Sequence, residues 1–259
     1  MGAAPLSDTS FNYFGDNYRW SMALLLALGS EPFGGADIGE VHAVGRRLHN
    51  QPSDDDAWFH EWTALGSDLL DKSEMCLSEG RNLTAASTAL TACNYFQTGE
   101  RFRLPKDDAA LIAYRRSLRA FEIYAEHNAD LRIERVEIPY QAGALPAYLV
   151  QPVGSPESPR PYVVFFDGLD LSKELQFLRG VRELARRGMG VFVVDGPGNG
   201  ESVRFDGHFM RYDYEVAASA AYEFLAGRPD VIESRVARCS APISLHQPSS
   251  FFGGRACGG

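Results

Sequence analysis

The sequence lacks any apolar run near the ~18 residues that a membrane-spanning helix needs. The segment 22–28 is apolar, but no basic stretch precedes it as in a signal peptide. Basic residues are also few, 25 against 34 acidic ones, and the net charge is −9. These features argue against a membrane or nucleic-acid partner, and the pattern of the four cysteines makes a reducing cytoplasm the expected location.

Cysteine is scarce as well, and the four cysteines show no C-x-x-C spacing, so we expect neither a zinc site nor a redox pair. The glycine-rich segment 195–202 differs from a dinucleotide-binding loop, which would open a helix directly. Pro197 lies within it, and no helical pattern begins before about Arg211. We therefore expect no cofactor and no metal.

The first half of the chain, residues 1–128, has the apolar periodicity of five helices and no strand pattern. Ser53 and Asn82 stand where helix N-caps are expected. Core packing is the simplest interpretation of the aromatic residues, although Trp58 or Tyr95 could line a substrate pocket. A solenoid of helical hairpins is disfavoured, because no repeat near 34 residues is found and strands follow.

The pattern changes near residue 128. Alternating apolar residues over 132–140 and 145–150 predict an antiparallel hairpin. Short apolar runs at 162–166 and 190–194 predict parallel strands buried on both faces, with one helix between them. A helix is expected over 213–225 and a further strand near Val236. Ligand sites in such sheets lie at the carboxyl ends of the strands.

Two motifs follow those strands: D-G-L-D-x-x-K-E at 167–174 and D-G-P-G-N-G-E-S at 195–202. Together they resemble the α/β-hydrolase branch that has a helical N-terminal domain. That branch includes FrsA-like proteins, dihydroxypseudooxynicotine hydrolase and the fungal polyketide-shortening hydrolases. The resemblance implies an α/β fold with a helical cap domain (1–128), a partial hydrolase sheet (129–238) and an irregular tail (239–259). It also implies a Ser-His-Asp triad.

Acyl transfer needs donors for an oxyanion, and in α/β-hydrolases one donor is a backbone N–H in the loop after the third strand. Here Gly168 would let the backbone turn and Leu169 would present its N–H, although a plain turn is an equal possibility. Glu174 starts a predicted helix, where the helix dipole favours a carboxylate. The resemblance adds a functional glutamate that faces the pocket.

Ser244 is the candidate nucleophile, because Ile243-Ser244-Leu245 resembles the centre of a G-x-S-x-G elbow. Pro242 and His246-Gln247 replace the small residues of that motif, and Ser240 fits worse. No Asp, Glu or Lys occurs from Cys239 onward to serve in a triad. We therefore expect a truncated hydrolase.

The predicted inherited activity is hydrolysis of an ester, or of a C–C bond next to a carbonyl, on a small-molecule substrate. This form of the chain is expected to be inactive. A non-catalytic binding or regulatory module is the alternative, and a helical scaffold is a third possibility. A homo-oligomer is possible.

Overall fold

A computed structural model describes residues 11–15, 17–51, 54–154, 159–166 and 171–240. Of residues 238–240 it describes only the backbone. The chain divides into two compact units, Met1–Asn128 and Ala129–Gly259. Within the described ranges, no helix is long and apolar enough to cross a membrane.

The first unit is helical. Its α-helices are α1 (Tyr18–Leu28), α2 (Ile38–His49), α3 (Asp55–Ser78), α4 (Asn82–Glu100) and α5 (Asp108–His127), and a 3₁₀ turn at Glu31–Phe33 separates the first two.

Helix α3 begins one residue later than the capping pattern suggested. Its N-cap is Asp54, whose carboxylate accepts a hydrogen bond from the backbone N–H of Asp56 at 2.9 Å. Ser53, the predicted cap, lies outside the described residues. The prediction for Asn82 is wrong, because the Arg81 carbonyl already accepts the first helical bond, from Ala85 N–H at 3.0 Å, which makes Asn82 the first helical residue.

Aromatic side chains fill the core of the helical unit. Trp58, Trp62 and Tyr95 are fully buried, with the Trp58 and Trp62 rings 5.5 Å apart. The Trp58 indole donates to the Thr98 carbonyl at 2.7 Å, and the Tyr95 hydroxyl donates to Glu40 at 2.9 Å. The burial of Trp58 and Tyr95 supports core packing.

The second unit is built on a five-stranded sheet. Its strands are β1 (Leu131–Tyr140), β2 (Gly143–Pro152), β3 (Arg160–Phe166), β4 (Gly190–Val194) and β5 (Val231–Ser240), in the order β1-β2-β4-β3-β5. The pairs β1/β2 and β2/β4 are antiparallel, whereas β4/β3 and β3/β5 are parallel.

The central strand is β4, and all five of its residues are buried, as its unbroken apolar run predicted. Helix α9 (Glu215–Ala226) packs on the sheet, with Ala217, Ala221 and Leu225 in the same buried cluster as Phe192. The outer strand β5 pairs with β3 through a register shift between Arg160 and Tyr162.

Three short helices differ from the expectation. The single helix predicted between β3 and β4 is two, α6 (Lys173–Phe177) and α7 (Val181–Arg186), because Gly180 adopts a left-handed conformation with φ 97° that interrupts it. The five-residue helix α8 (Gly200–Arg204) begins inside the glycine-rich segment, so the expectation of no helix before about Arg211 is wrong.

Candidate functional site

The candidate site lies at the edge of the sheet where β3 and β4 end. Because these strands are parallel, their last residues, Phe166 and Val194, lie at the same edge of the sheet. Several charged side chains and one tyrosine meet here, all of them below the surface except Arg135, whose side chain is 41% exposed. We call them the buried charge cluster, which consists of Arg135 on β1, Tyr148 on β2, Lys173 and Glu174 on α6, Asp195 after β4, and Glu201 on α8.

Lys173 is the centre of the cluster, and its side chain is fully buried. Its ammonium Nζ lies 2.8 Å from Glu174 Oε1 and 3.0 Å from Asp195 Oδ2, and it also contacts Glu201 Oε1. The Tyr148 ring lies beneath it, with Nζ 4.9 Å from the ring centroid. Three carboxylates and an aromatic face thus take the place of the water molecules that the ammonium loses on burial.

Asp195 joins two helices. Its Oδ1 accepts a hydrogen bond from the backbone N–H of Lys173 at 2.6 Å, and its Oδ2 accepts from the N–H of Glu201 at 2.9 Å. Burial raises the pKa of Asp195 to about 6, while the Lys173 ammonium and the two N–H donors limit the rise. The carboxylate is therefore ionised at neutral pH.

Glu174 is also fully buried, and its Oε1 accepts a hydrogen bond from the Tyr148 hydroxyl at 2.9 Å. Burial alone would raise the pKa of Glu174, but the Lys173 charge and hydrogen bond outweigh it and hold the pKa below its ordinary value. Burial and the Glu174 charge raise the pKa of Tyr148 well above 10. The phenol thus remains a proton donor to an ionised carboxylate.

Arg135 closes the cluster on the side of the hairpin. Its guanidinium donates from two nitrogens to the two oxygens of Glu201, at 2.8 and 3.1 Å. With every group ionised, two cations face three carboxylates, so the cluster carries one net negative charge. Such a paired fork fixes the carboxylate of Glu201 in direction as well as in distance.

The glycines of the second motif make room for this arrangement. A Cβ atom on Gly200, which has φ +47°, would lie 2.0 Å from Asp195 Oδ2. A Cβ atom on Gly196 would lie 1.9 Å from the Tyr214 hydroxyl. The glycines therefore let the backbone pass close to Asp195 and Tyr214, which is a packing requirement rather than a phosphate-binding one.

Of the predicted site residues, only Glu174 falls within the described part of the chain. Gly168, Leu169 and Ser244 lie outside it. Sequence reasoning missed Lys173, Asp195 and Glu201 as partners, although all three belong to the two motifs. Nothing local to Arg135 or Tyr148 marked them, because they join the cluster only through strand pairing. In the described ranges, no group of three or more His, Cys, Asp or Glu is placed to hold a metal ion.

The fold and this strand-end site define the class, an α/β-hydrolase fold with a helical unit before the sheet. The crystal structure of 2,6-dihydroxy-pseudo-oxynicotine hydrolase superimposes with a TM-score of 0.67 at 22% identity, covering 82% of this chain and 57% of that one. A structure titled AbyA5 Wildtype gives a TM-score of 0.59 at 20% identity, covering 87% and 56%.

Residues 53–239 match the family model Esterase FrsA-like, and the chain belongs to this family. It is 32% identical to Alpha/beta hydrolase ucsC of an Acremonium species, covering 83% of this chain and 46% of that protein. It is 31% identical to Hydrolase acrC of Aspergillus aculeatus, covering 86% and 53%. The chain thus spans about half the length of these curated relatives. The cytoplasmic location remains a prediction.

Proposed function

We propose that this chain supplies the helical cap domain and the first five strands of a serine-dependent hydrolase, which cleaves an ester or a C–C bond next to a carbonyl. The pairing of β3 with β5 is the observation that carries the proposal. Phe166 and Ser240 are register partners at the ends of these parallel strands. Because paired strands are ~4.8 Å apart, Phe166 and Ser240 themselves lie side by side.

The proposed roles follow from that proximity. The segment after Phe166 contains Gly168 and Leu169, the proposed oxyanion donors, and the segment after Ser240 contains Ser244, the proposed nucleophile. A nucleophile and its oxyanion donors must face one carbonyl group, so adjacent strand ends suit them. Glu174 is proposed to face the pocket in which the carbonyl group of the substrate would bind.

A small-molecule substrate is the proposed class. One relative, 28% identical over 212 residues, is named 20-hydroxy-prefusarin hydrolase FUS2, of Gibberella moniliformis. Its name describes hydrolysis of a small molecule, which supports that class for this chain. A homo-oligomeric state stays a prediction.

The chain by itself is proposed to lack turnover. After Ser244 it provides His246 but no carboxylate, and loss of a complete triad costs ~10⁶-fold in rate. Hydrolysis of p-nitrophenyl acetate should equal the buffer rate and should not change in Ser244→Ala, with Ser240→Ala as the matched control. Serine-specific turnover, or labelling of Ser244 by a fluorophosphonate, would contradict inactivity.

A chimera tests the inherited function. Residues after Ser240 are replaced by the corresponding carboxy-terminal part of Alpha/beta hydrolase ucsC. We expect ester turnover that disappears when the nucleophilic serine of the added part is changed to alanine. A folded chimera without such turnover would count against the proposal, and binding of an ester without turnover would favour a non-catalytic binding module.

A further inference from the structure

Strand β1 has one long side that no other described strand pairs with. It is the end strand in the order β1-β2-β4-β3-β5, and its ten residues pair with β2 in an unbroken register. A long edge strand without a bulge presents a row of backbone donors and acceptors that can pair with another chain. The outer side of β1 is therefore a candidate interaction surface.

The hydrogen-bond pattern shows which residues of β1 point outward. The backbone N–H of Val153 donates to the Asp130 carbonyl at 2.9 Å, so the even-numbered residues of β1 form the hydrogen-bonded pairs with β2. The odd-numbered residues, Ile133 among them, direct their N–H and C=O groups away from β2. Pro139 is one of these, and it costs the sheet no hydrogen bond because β2 needs no donor from that position.

Two side chains on this strand have opposite charges and little use within one copy of the chain. Arg132 is exposed and forms no ion pair with any described residue, and Glu134 lies 3.7 Å from Arg228. Arg135 and Glu137, by contrast, already bind each other at 3.0 Å. Arg132 and Glu134 lie two positions apart and so share one face of the sheet.

We propose that β1 is a self-association surface, on which β1 of a second copy pairs antiparallel with Ile133 opposite Ile133. In this register Arg132 of each copy lies directly opposite Glu134 of the other, so the twofold symmetry forms the charge pair twice. Leu131 lies opposite Arg135, and the outward N–H groups at 131, 133 and 135 all meet carbonyl groups. The proposal does not depend on the hydrolytic reaction.

The other registers are less favourable. Symmetric antiparallel pairing brings residues of one face together, so each register is defined by the residue that meets itself. Centred on Arg132 or Glu134, like charges would lie directly opposite, which destabilises a sheet. Centred on Arg135 or beyond, the paired segment would include Pro139, which has no N–H to donate. Centred on Leu131, half of the paired segment would precede the strand.

The test is a charge exchange, followed by analytical ultracentrifugation of the full chain over a range of concentrations. Low ionic strength is used, because salt screens exposed charges. The unaltered chain should show a concentration-dependent monomer–dimer equilibrium. Arg132→Glu opposes two carboxylates at both symmetric positions, so the dimer Kd should rise roughly 10-fold or more. Glu134→Arg should have the same effect, and the double variant should restore the original Kd.

A mixture of the two single variants gives the sharpest outcome. Arg132→Glu has two acids at these positions and Glu134→Arg has two bases, so each chain repels its own copy and attracts the other. The mixture should form a heterodimer at concentrations at which neither variant associates alone. Arg187→Glu is the control, because it reverses an exposed arginine of the same unit away from β1, and it should leave the Kd unchanged.

A backbone variant tests the strand pairing itself. Ile133→Pro removes an outward N–H that β2 does not use, so the chain should keep its circular dichroism spectrum and lose association. A dimer that survives in folded Ile133→Pro would overturn the proposal. So would an unaltered chain that remains monomeric at ~1 mM, or single charge variants that associate as well as the unaltered chain.

Discussion

The helical unit and the sheet unit bury charge in different ways. Among the described residues of the helical unit, the fully buried charged side chain is Glu100, and its partner Lys106 reaches solvent with 28% of its side chain exposed. In the sheet unit Lys173, Glu174 and Asp195 are all completely buried. The first unit is held by aromatic packing, whereas the second encloses a network of ions.

Burying a network of ions is an expensive way to stabilise a fold, since apolar residues of similar volume often do as well or better. Its location argues for another purpose, because perturbed ionisable groups gather at functional sites and this cluster lies at the strand-end edge of the sheet. The contrast is between a helical unit held by apolar packing and a sheet unit that gathers ionised groups at its strand-end edge.

The largest effect should come from removing the central cation. Lys173→Met leaves three carboxylates facing one another without their ammonium, so the sheet unit should lose about 3–5 kcal/mol of unfolding free energy. Urea denaturation followed by hydrogen exchange would show this loss in the sheet unit alone. Lys106→Met in the helical unit is the control, and a loss as large there would erase the contrast between the units.

A glycine substitution separates crowding from backbone strain. Gly200→Ala places its Cβ against the Asp195 carboxylate at a positive φ, and the two effects together should cost about 3 kcal/mol. Gly80→Ala in the helical unit has φ +73° but no atom within 4 Å of the added Cβ, so it should cost only about 1 kcal/mol. Equal losses of thermal stability would show that Asp195 does not crowd Gly200.

The pH dependence of stability tests the charge on Asp195. Its pKa rises from the ordinary value 3.8 to about 6, so between these values the folded state binds more protons than the unfolded state. The Asp195 contribution to stability is therefore fully present below pH 3.8 and decreases as the pH rises to about 6, by about 3 kcal/mol in all.

The measurement compares urea unfolding of the unaltered chain with that of Asp195→Asn at several pH values from 4 to 7. As the pH rises toward about 6, the unfolding free energy of the unaltered chain should fall relative to that of Asp195→Asn. A pH-independent difference would show that Asp195 titrates alike in the folded and unfolded states.

Much of the fold follows from local patterns. The strand predicted at 190–194 is β4 itself, and the one predicted at 162–166 falls within β3. The helix predicted over 213–225 is α9, Glu215–Ala226. In each of these elements the apolar residues follow the pattern of a single kind of secondary structure. Burial of those residues therefore favours the same structure as the local sequence does.

The charge cluster could not be predicted in the same way. Tyr148 reaches Glu174 across 26 positions in the sequence, and Arg135 reaches Glu201 across 66. Only the sheet order brings them together, because β2 lies beside β4. The break at Gly180 was missed for a related reason, since apolar spacing on both sides of it continues the helical period.

The smallest effect is expected at an exposed helix N-cap. It is best measured by comparing two aspartates that each accept a hydrogen bond from a backbone N–H at the start of a helix. Asp54 accepts a backbone N–H at the start of α3, as Asp195 does at the start of α8, but Asp54 is exposed and Asp195 is buried. Asp54→Ala should cost about 1 kcal/mol, the usual effect of losing an N-cap, because water can replace the lost acceptor.

Ser53→Ala, the change at the cap that the sequence pattern favoured, should alter stability by less than about 0.5 kcal/mol. Thermal unfolding of the two variants, with Asp195→Ala beside them, would rank the three sites. Asp195→Ala should cost several times more than Asp54→Ala, since it leaves the Lys173 ammonium and two buried N–H groups without an acceptor. Equal losses of stability in Asp54→Ala and Asp195→Ala would mean that the burial of Asp195 does not increase the effect of removing its carboxylate.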